Sequence, residues 1–445
     1  MSATIQDASA SRKRAGADYR RPVEAEVERF DLPVTGAIPP ELSGRFVRNG
    51  PNPRAGERVH PFTAHGMLHG MRLENGVACW YRNRWVRTRS FETGAPYLRA
   101  DGTIDLSVGP ANTNLIAHGG KMLALVESSF PYEVTPELDT VGPHDFGGRL
   151  TTPFTAHPKR CPRTGELHGY GMSLSGGLTY HRIDADGALV ESRAITVPGV
   201  TMMHDFALTD RHAVFMDLPV VFDVTRATRG EMPFAWDDAY GARLGVLRRD
   251  EPGSDVRWFD VEPCYAFHVM NAFDDGEAIV MDVVRYDEMW RAGTTVFPDG
   301  SLHRWTIDGS SGHVREARLD DRAVEFPRVD ERRSGSAYRF GYAADSRDEV
   351  RGGVWKYDLA TGTSQHRDFG AGRFAGEPVF VAAAGASGED AGWLMTFVYD
   401  VTRDASDFVI LDASDIAGAP VASVALPQRV PFGFHGNWID DAYLG

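Results

Sequence analysis

Four histidines far apart in the chain each stand inside a short apolar or aromatic run. The runs are Phe154-Thr-Ala-His157-Pro, Met202-Met-His204-Asp-Phe206, Tyr265-Ala-Phe-His268-Val and Pro431-Phe-Gly-Phe-His435-Gly-Asn-Trp438. A charged or freely hydrated ring is out of place in such a setting. Any one of them, alone, reads as a hydrogen-bonded core residue. Four alike read as metal ligands, because neutral imidazole suits iron, copper, zinc and nickel. Ligands so distant in sequence demand a fold that carries remote strands to one axis.

The segments between them are built for that. Strand runs alternate with Gly, Asp and Ser turns. Leu115-Ile-Ala-His118 and Met122-Leu-Ala-Leu-Val126 flank Gly119-Gly120. Leu178–Ile183 and Ala188–Val190 flank Asp184-Ala-Asp-Gly187. Ala213–Met216 leads towards Val220–Phe222, and Ala278–Met281 precedes Val283–Arg285. Leu302–Ile307 pairs with Val314–Arg318, Val354–Asp358 with Ser364–Asp368, and Trp393–Tyr399 is followed by Phe408–Leu411. Helical periods are scarce. The predicted fold is all-β, and a propeller is the economical closure for this many hairpins. Seven blades of roughly 60 residues suit the length, and six or eight fit nearly as well. The innermost strand of each blade would line the channel on which the histidines converge.

Composition narrows the function. Hydrophobic residues make up 42% of the 445, enough for a large core, and the net charge of −15 argues against nucleic-acid partners. Cys79, Cys161 and Cys264 lack paired spacing, so neither a disulfide framework nor a thiolate zinc site is expected. No apolar run approaches the roughly 18 residues of a spanning helix, and the N-terminus has no apolar signal core. A cytoplasmic protein is expected. Residues 1–28 read as a flexible N-terminal arm and 29–445 as one catalytic propeller domain. His60, His65 and His69 lack a defined ligand spacing, and His118, His144, His303, His313 and His366 read as turn or solvated residues.

Three glutamates have settings as unusual as the histidines. Glu127 ends the run Leu123-Ala-Leu-Val126, Glu325 stands in Ala323-Val-Glu-Phe-Pro327, and Glu377 in Gly376-Glu-Pro-Val-Phe-Val381. A metal-bound histidine usually gives its other N–H to a carboxylate or carbonyl, which fixes the tautomer and raises ligand basicity. Three such carboxylates would also offset part of a divalent charge. Four imidazoles without thiolate or directly bound carboxylate differ from the usual structural zinc site.

Taken in order, these segments resemble the carotenoid cleavage oxygenases, the family that also holds the retinoid isomerase of the retinal pigment epithelium and the bacterial lignostilbene dioxygenases. The resemblance runs from about Phe30 to Trp438. It is carried by Gly44-Arg-Phe-Val-Arg-Asn-Gly-Pro-Asn-Pro53, Tyr81-Arg-Asn-Arg-Trp-Val-Arg-Thr88, Ala111-Asn-Thr-Asn114, Leu123-Ala-Leu-Val-Glu127 and Asp145-Phe-Gly-Gly-Arg-Leu150. Thr155-Ala-His-Pro158, Met202-Met-His-Asp-Phe206, Phe267-His268, Glu325-Phe-Pro327, Glu377-Pro378 and Phe434-His-Gly436 complete it. It implies a seven-bladed propeller with loops capping an axial Fe(II) site. His157, His204, His268 and His435 match the iron ligands. Glu127, Glu325 and Glu377 match the carboxylates paired with His204, His268 and His435, and His157 has no such partner. The implied reaction is scission of a carbon–carbon double bond of an apolar conjugated substrate, with O2 as co-substrate and two carbonyl products. No organic cofactor is implied.

Departures from the family bear on substrate. Phe62-Thr-Ala-His-Gly-Met67 stands where many members have Phe-Asp-Gly-Asp-Gly-Met, and Trp85 where Tyr is frequent. Lignostilbene enzymes carry a lysine just before the first glutamate, which holds a phenol with a tyrosine; here that position is Val126. Trp85 and Val126 are therefore expected at the substrate tunnel, and the substrate expected is a carotenoid or apocarotenoid. Stilbene or phenylpropenoid cleavage is the alternative, retinoid isomerohydrolase chemistry is remote, and a non-catalytic binding propeller is the reading of a different class. Met67-Leu68 and Met71 in a loop would suit transient contact with a membrane surface.

Overall fold

Glycine reverses the chain where the turn signals stand: Gly119 and Gly120 take φ of 55° and 72° between the strands Asn114–His118 and Lys121–Leu125. The left-handed backbone of a tight turn costs glycine nothing. Repeated, such hairpins build seven antiparallel sheets of a propeller in a computed structural model. It describes residues 19–444 apart from 58, 100, 102, 175–176, 230, 252, 292–293, 295–296 and 348–351.

The first blade holds Gly44–Pro51, Gly66–Glu74 and Val77–Trp85, and its inner edge is the C-terminal strand Gly436–Asp440. The second runs from Asn114–His118 to Thr140–Pro143, the third from Lys159–Arg160 to Leu189–Ile195, and the fourth from Phe206–Leu208 to Arg257–Asp260. The fifth and sixth open with Tyr265–Asp275 and Val324–Val329. The seventh combines Arg373–Ala375, Val379–Ala382, Gly392–Asp400, Ala405–Asp412 and Ala422–Ala425, and Val34–Gly36 from the N-terminal side forms its outer edge. The ring is thus closed twice, by a late strand in the first blade and an early strand in the last. Closure removes open inner edges that would otherwise offer unpaired N–H and C=O groups.

Between blades lies an apolar core. Phe46 crosses to Phe397 and Phe408 with ring centroids 5.1 and 5.2 Å apart, joining the first blade to the seventh. Tyr19 is buried, stacked 5.1 Å from Tyr399, and its carbonyl accepts from the Phe432 N–H. Packing therefore begins before the boundary at residue 29; residues 1–18 of the expected arm lie outside the described residues.

Several local expectations change. Ala278–Tyr286 is one continuous strand, not two. Val220–Phe222 leaves the fourth blade to pair with Phe234–Trp236, while His212–Asp217 pairs with Arg243–Arg248. Met67, Leu68 and Met71 are buried in the strand Gly66–Glu74, so they form no membrane-facing loop. His303 is buried rather than solvated, and His118, expected in a turn, is buried at the end of the strand Asn114–His118. His118 Nε2 meets the Asp184 carbonyl at 2.6 Å, which satisfies its polarity inside a β-rich interior.

Candidate metal centre

Each blade brings one residue to the axis. His435 precedes the inner strand of the first blade and Glu127 follows Lys121–Leu125 in the second. His157 and His204 lie just before the first strands of the third and fourth, and His268 lies within that of the fifth. Glu325 and Glu377 come from the sixth and seventh. Two of these positions depend on irregular strands. The ladder of Tyr265–Asp275 slips between Ala266 and Val269, around His268, and that of Val324–Val329 slips after Glu325, where Phe326 takes a φ of 54°. A bulge re-aims side chains in this way and is typical of strands beside functional sites.

The four histidines are buried, and one ring nitrogen of each lies within 4.8 Å of the others. His157 Nε2 is 3.0 Å from His204 Nε2, and His268 Nε2 is 3.2 Å from His435 Nε2. Nitrogens this close share a proton or a cation. Two nitrogens about 2.1 Å from one ion stand about 3.0 Å apart at a right angle and about 3.4 Å apart in a tetrahedron. The observed separations fall within this range, so the four nitrogens can share one ion.

The far side of three rings is held by carboxylates. Glu127 pairs with His204 Nδ1. Glu325 Oε2 accepts from His268 Nδ1 at 2.6 Å, and Glu377 Oε1 accepts from His435 Nδ1 at 3.0 Å. Each contact puts the proton on Nδ1 and turns the Nε2 lone pair to the axis. Among the described residues no carboxylate pairs with His157; its backbone N–H goes to Thr155 Oγ1 at 3.0 Å, and Asn114 Nδ2 holds the Ala156 carbonyl at 2.8 Å.

The electrostatics suit a cation. Burial and the three neighbouring rings push His157 well below the usual histidine range. Burial pushes His435 down to about 4. Burial opposes the charged form of His204 as well, but Glu127 outweighs it and leaves that ring raised. Burial would raise the carboxylates, yet His204 and His268 hold Glu127 and Glu325 below their ordinary value, and His435 with Arg328 holds Glu377 at about 2. All three therefore stay ionised at neutral pH. Their charge exceeds that of Arg328, whose Nη1 lies 3.5 Å from Glu377, and negative surroundings of this kind favour a divalent ion.

Sequence reasoning missed several supports. Tyr286 donates to Glu325 Oε1 at 2.7 Å, and the Phe326 N–H also reaches Glu325. Arg328 Nη2 donates to Asn437 Oδ1 at 2.8 Å and Nη1 lies 3.5 Å from Glu377. An aromatic group adjoins the centre: Phe267 is 5.2 Å from the His204 ring, and Phe62 packs on Trp290, Phe297 and Phe434 at 5.9, 6.2 and 6.0 Å. Asn112, in the Ala111–Asn114 run, fixes the Phe62 loop by donating to the Pro61, Phe62 and Ala64 carbonyls. Val126 is buried, one residue from Glu127. Trp85 packs on Phe91, and its indole N–H donates to the Asn52 carbonyl at 3.3 Å. Among the described residues His60, His65 and His69 form no metal-binding group; His69 Nδ1 pairs with the Tyr81 hydroxyl at 2.8 Å.

The comparisons with known proteins agree with this geometry. The family described as retinal pigment epithelial membrane protein matches residues 20–440. A carotenoid cleavage oxygenase of Mycobacterium tuberculosis is 40% identical over 94% of this chain and 96% of its own. The apocarotenoid oxygenase of Synechocystis superposes with a TM-score of 0.87 at 28% identity, over 96% of this chain and 98% of that one. The Pseudomonas brassicacearum lignostilbene dioxygenase follows at 0.86 and 28%, over 94% and 96%. With matching sequence over nearly its whole length and four histidines gathered on a seven-bladed axis, the chain belongs to the carotenoid cleavage oxygenase family and is an oxidoreductase of its double-bond-cleaving, dioxygenase type.

Proposed function

We propose that this protein holds Fe(II) through His157, His204, His268 and His435 and cleaves one double bond of a carotenoid or apocarotenoid with O2, releasing two carbonyl products. The observation that carries the reading is the set of four buried imidazoles, three of them oriented by ionised glutamates, beside an aromatic surface. Iron bound there would supply the one-electron chemistry that lets O2 react with an alkene.

The protein's own groups do the rest. Glu127, Glu325 and Glu377 keep three rings neutral at Nε2 and facing the axis. Phe62, Phe267, Phe297 and Phe434 offer flat apolar faces on which a polyene can lie, and they exclude water. Val126, where a lysine would hold a phenolate, gives no charge-assisted contact, which is worth about 1.5–3 kcal/mol in general.

The test is a product assay. Fe(II)-loaded protein in air receives an apocarotenal or a hydroxystilbene, and aldehyde fragments are sought by mass spectrometry. Fragments from the apocarotenal alone are expected, and their masses identify the cleaved bond. Fragments from the hydroxystilbene alone would overturn the substrate assignment. Iron well below one per chain after loading would overturn the metal assignment.

A further inference from the structure

The segments carrying three of the four histidines meet at a buried carboxylate outside the candidate metal site. Asp205 follows His204 directly and is 1% exposed. Its Oδ2 accepts the backbone N–H of Val269 at 2.9 Å, the residue after His268. Its Oδ1 accepts the Phe206 N–H at 2.8 Å and lies 2.7 Å from Nζ of Lys159, two residues beyond His157. One carboxylate thus ties together the segments carrying His157, His204 and His268, from three successive blades. His435 is held separately, through Glu377 and Arg328.

The charges give the contact a second role. Lys159 stands two residues beyond His157, the ring for which no carboxylate partner is found among the described residues. Paired with Asp205, that ammonium is cancelled. Unpaired, it would stand beside the ligand least able to offset it, opposing any divalent cation at the axis. Lys159 is 22% exposed at its side chain while Asp205 is 2%, so loss of the carboxylate strands a charge that water screens only in part.

We infer that Asp205 is a positioning residue for the metal centre, holding the His204 and His268 segments in register and neutralising Lys159 so that the site accepts a divalent ion. The inference rests on the four histidines being the metal site, and the experiment separates the two.

The measurement is Co(II) affinity by competition with a chelator, with Co(II) visible absorption and melting of the metal-free protein recorded alongside. Wild type, Asp205→Asn, Lys159→Met and the double variant are compared. Asparagine can still accept the Val269 N–H through its one acceptor oxygen, but it gives up the Phe206 N–H and cannot cancel Lys159. Asp205→Asn is expected to weaken Co(II) about tenfold or more and to shift the absorption bands. Adding Lys159→Met should bring the affinity back to within about threefold of wild type, because the stranded cation is gone. A purely structural aspartate predicts no such rescue. Asp205→Asn binding within about twofold of wild type, or a double variant no tighter than Asp205→Asn, would overturn the inference. So would Lys159→Met alone weakening Co(II) as much as Asp205→Asn. Should Asp205→Asn fail to fold, the double variant carries the test: Co(II) binding more than about tenfold weaker than Lys159→Met alone would overturn it. Failure of wild type itself to take up one Co(II) per chain would instead overturn the metal site.

Discussion

At the scale of single residues, the three glutamates are not interchangeable. Glu325 accepts from His268, from Tyr286 and from the Phe326 N–H. A glutamine offers one acceptor oxygen, and its amide N–H group would face a donor. Glu325→Gln is therefore expected to lower metal affinity and turnover about 10- to 100-fold, measured by metal content and product formation. Tyr286→Phe removes only one of three donors and should cost less than Glu325→Gln in the same assays. His268→Ala should lose bound metal while circular dichroism still reports a β-rich fold, since the ring contributes one ligand and little of the core. Retained metal and turnover in that variant would refute its role. Legibility at this scale was uneven. His157, His204, His268 and His435 betrayed themselves because a polar ring in an apolar run has few reasons to exist. Asp205 shares the apolar run of His204 and reads there only as its neighbour, while Lys159 and Arg328 gave no such signal, since charged residues close to strand ends are ordinary in any sequence.

At the scale of elements, the ligands are only as well placed as the segments carrying them. Gly171 sits in Leu167–Ser173, where an added Cβ would lie 2.1 Å from the Pro153 carbonyl oxygen. The strand can approach the Pro153–His157 segment only because no side chain intervenes. Gly171→Ala should displace backbone, destabilise by about 1–3 kcal/mol in denaturant titration, and weaken metal binding through His157. An unchanged midpoint would show that the segment yields freely. The hairpins at Gly119–Gly120, Asp184–Gly187 and Ala360–Gly362 were readable, because turn chemistry is local. The slipped ladders at His268 and Glu325 were not. A bulge is decided by the pairing partner, and the partner is invisible to a strand's own pattern.

At the scale of the molecule, stability should follow pH through histidines remote from the axis. Burial holds His181 at about 4, with the Thr152 and Ser192 hydroxyls as neutral partners at 2.8 and 2.9 Å. The unfolded chain protonates this ring near 6.5, so it binds protons first as pH falls. Its contribution is complete above about 6.5 and is lost down to about 4, amounting to about 3 kcal/mol at most. Denaturation midpoints should decline over that window, and His181→Gln should decline less steeply. A metal at the axis adds a second dependence. Chelation should lower the melting temperature of the whole propeller, because ligands from four blades then lose their common anchor. Equal melting with and without metal would show that the blades close independently of it.

The chain's own order of residues settled the β-class, the hairpins, the four rings and the three carboxylates. These follow from local chemistry: turns need particular backbone angles, and buried polar groups need partners. Seven blades were implied by the family resemblance, but hairpin spacing alone left six or eight open until the tertiary structure paired Gly436–Asp440 with Gly44–Pro51 and Val34–Gly36 with Ala422–Ala425. Spacing along a chain does not state how many sheets close a ring; the twist and packing between sheets decide it. The same holds for the contact among Lys159, Asp205 and Val269. Its members are ordinary in sequence, and only the convergence of three blades makes them one electrostatic unit.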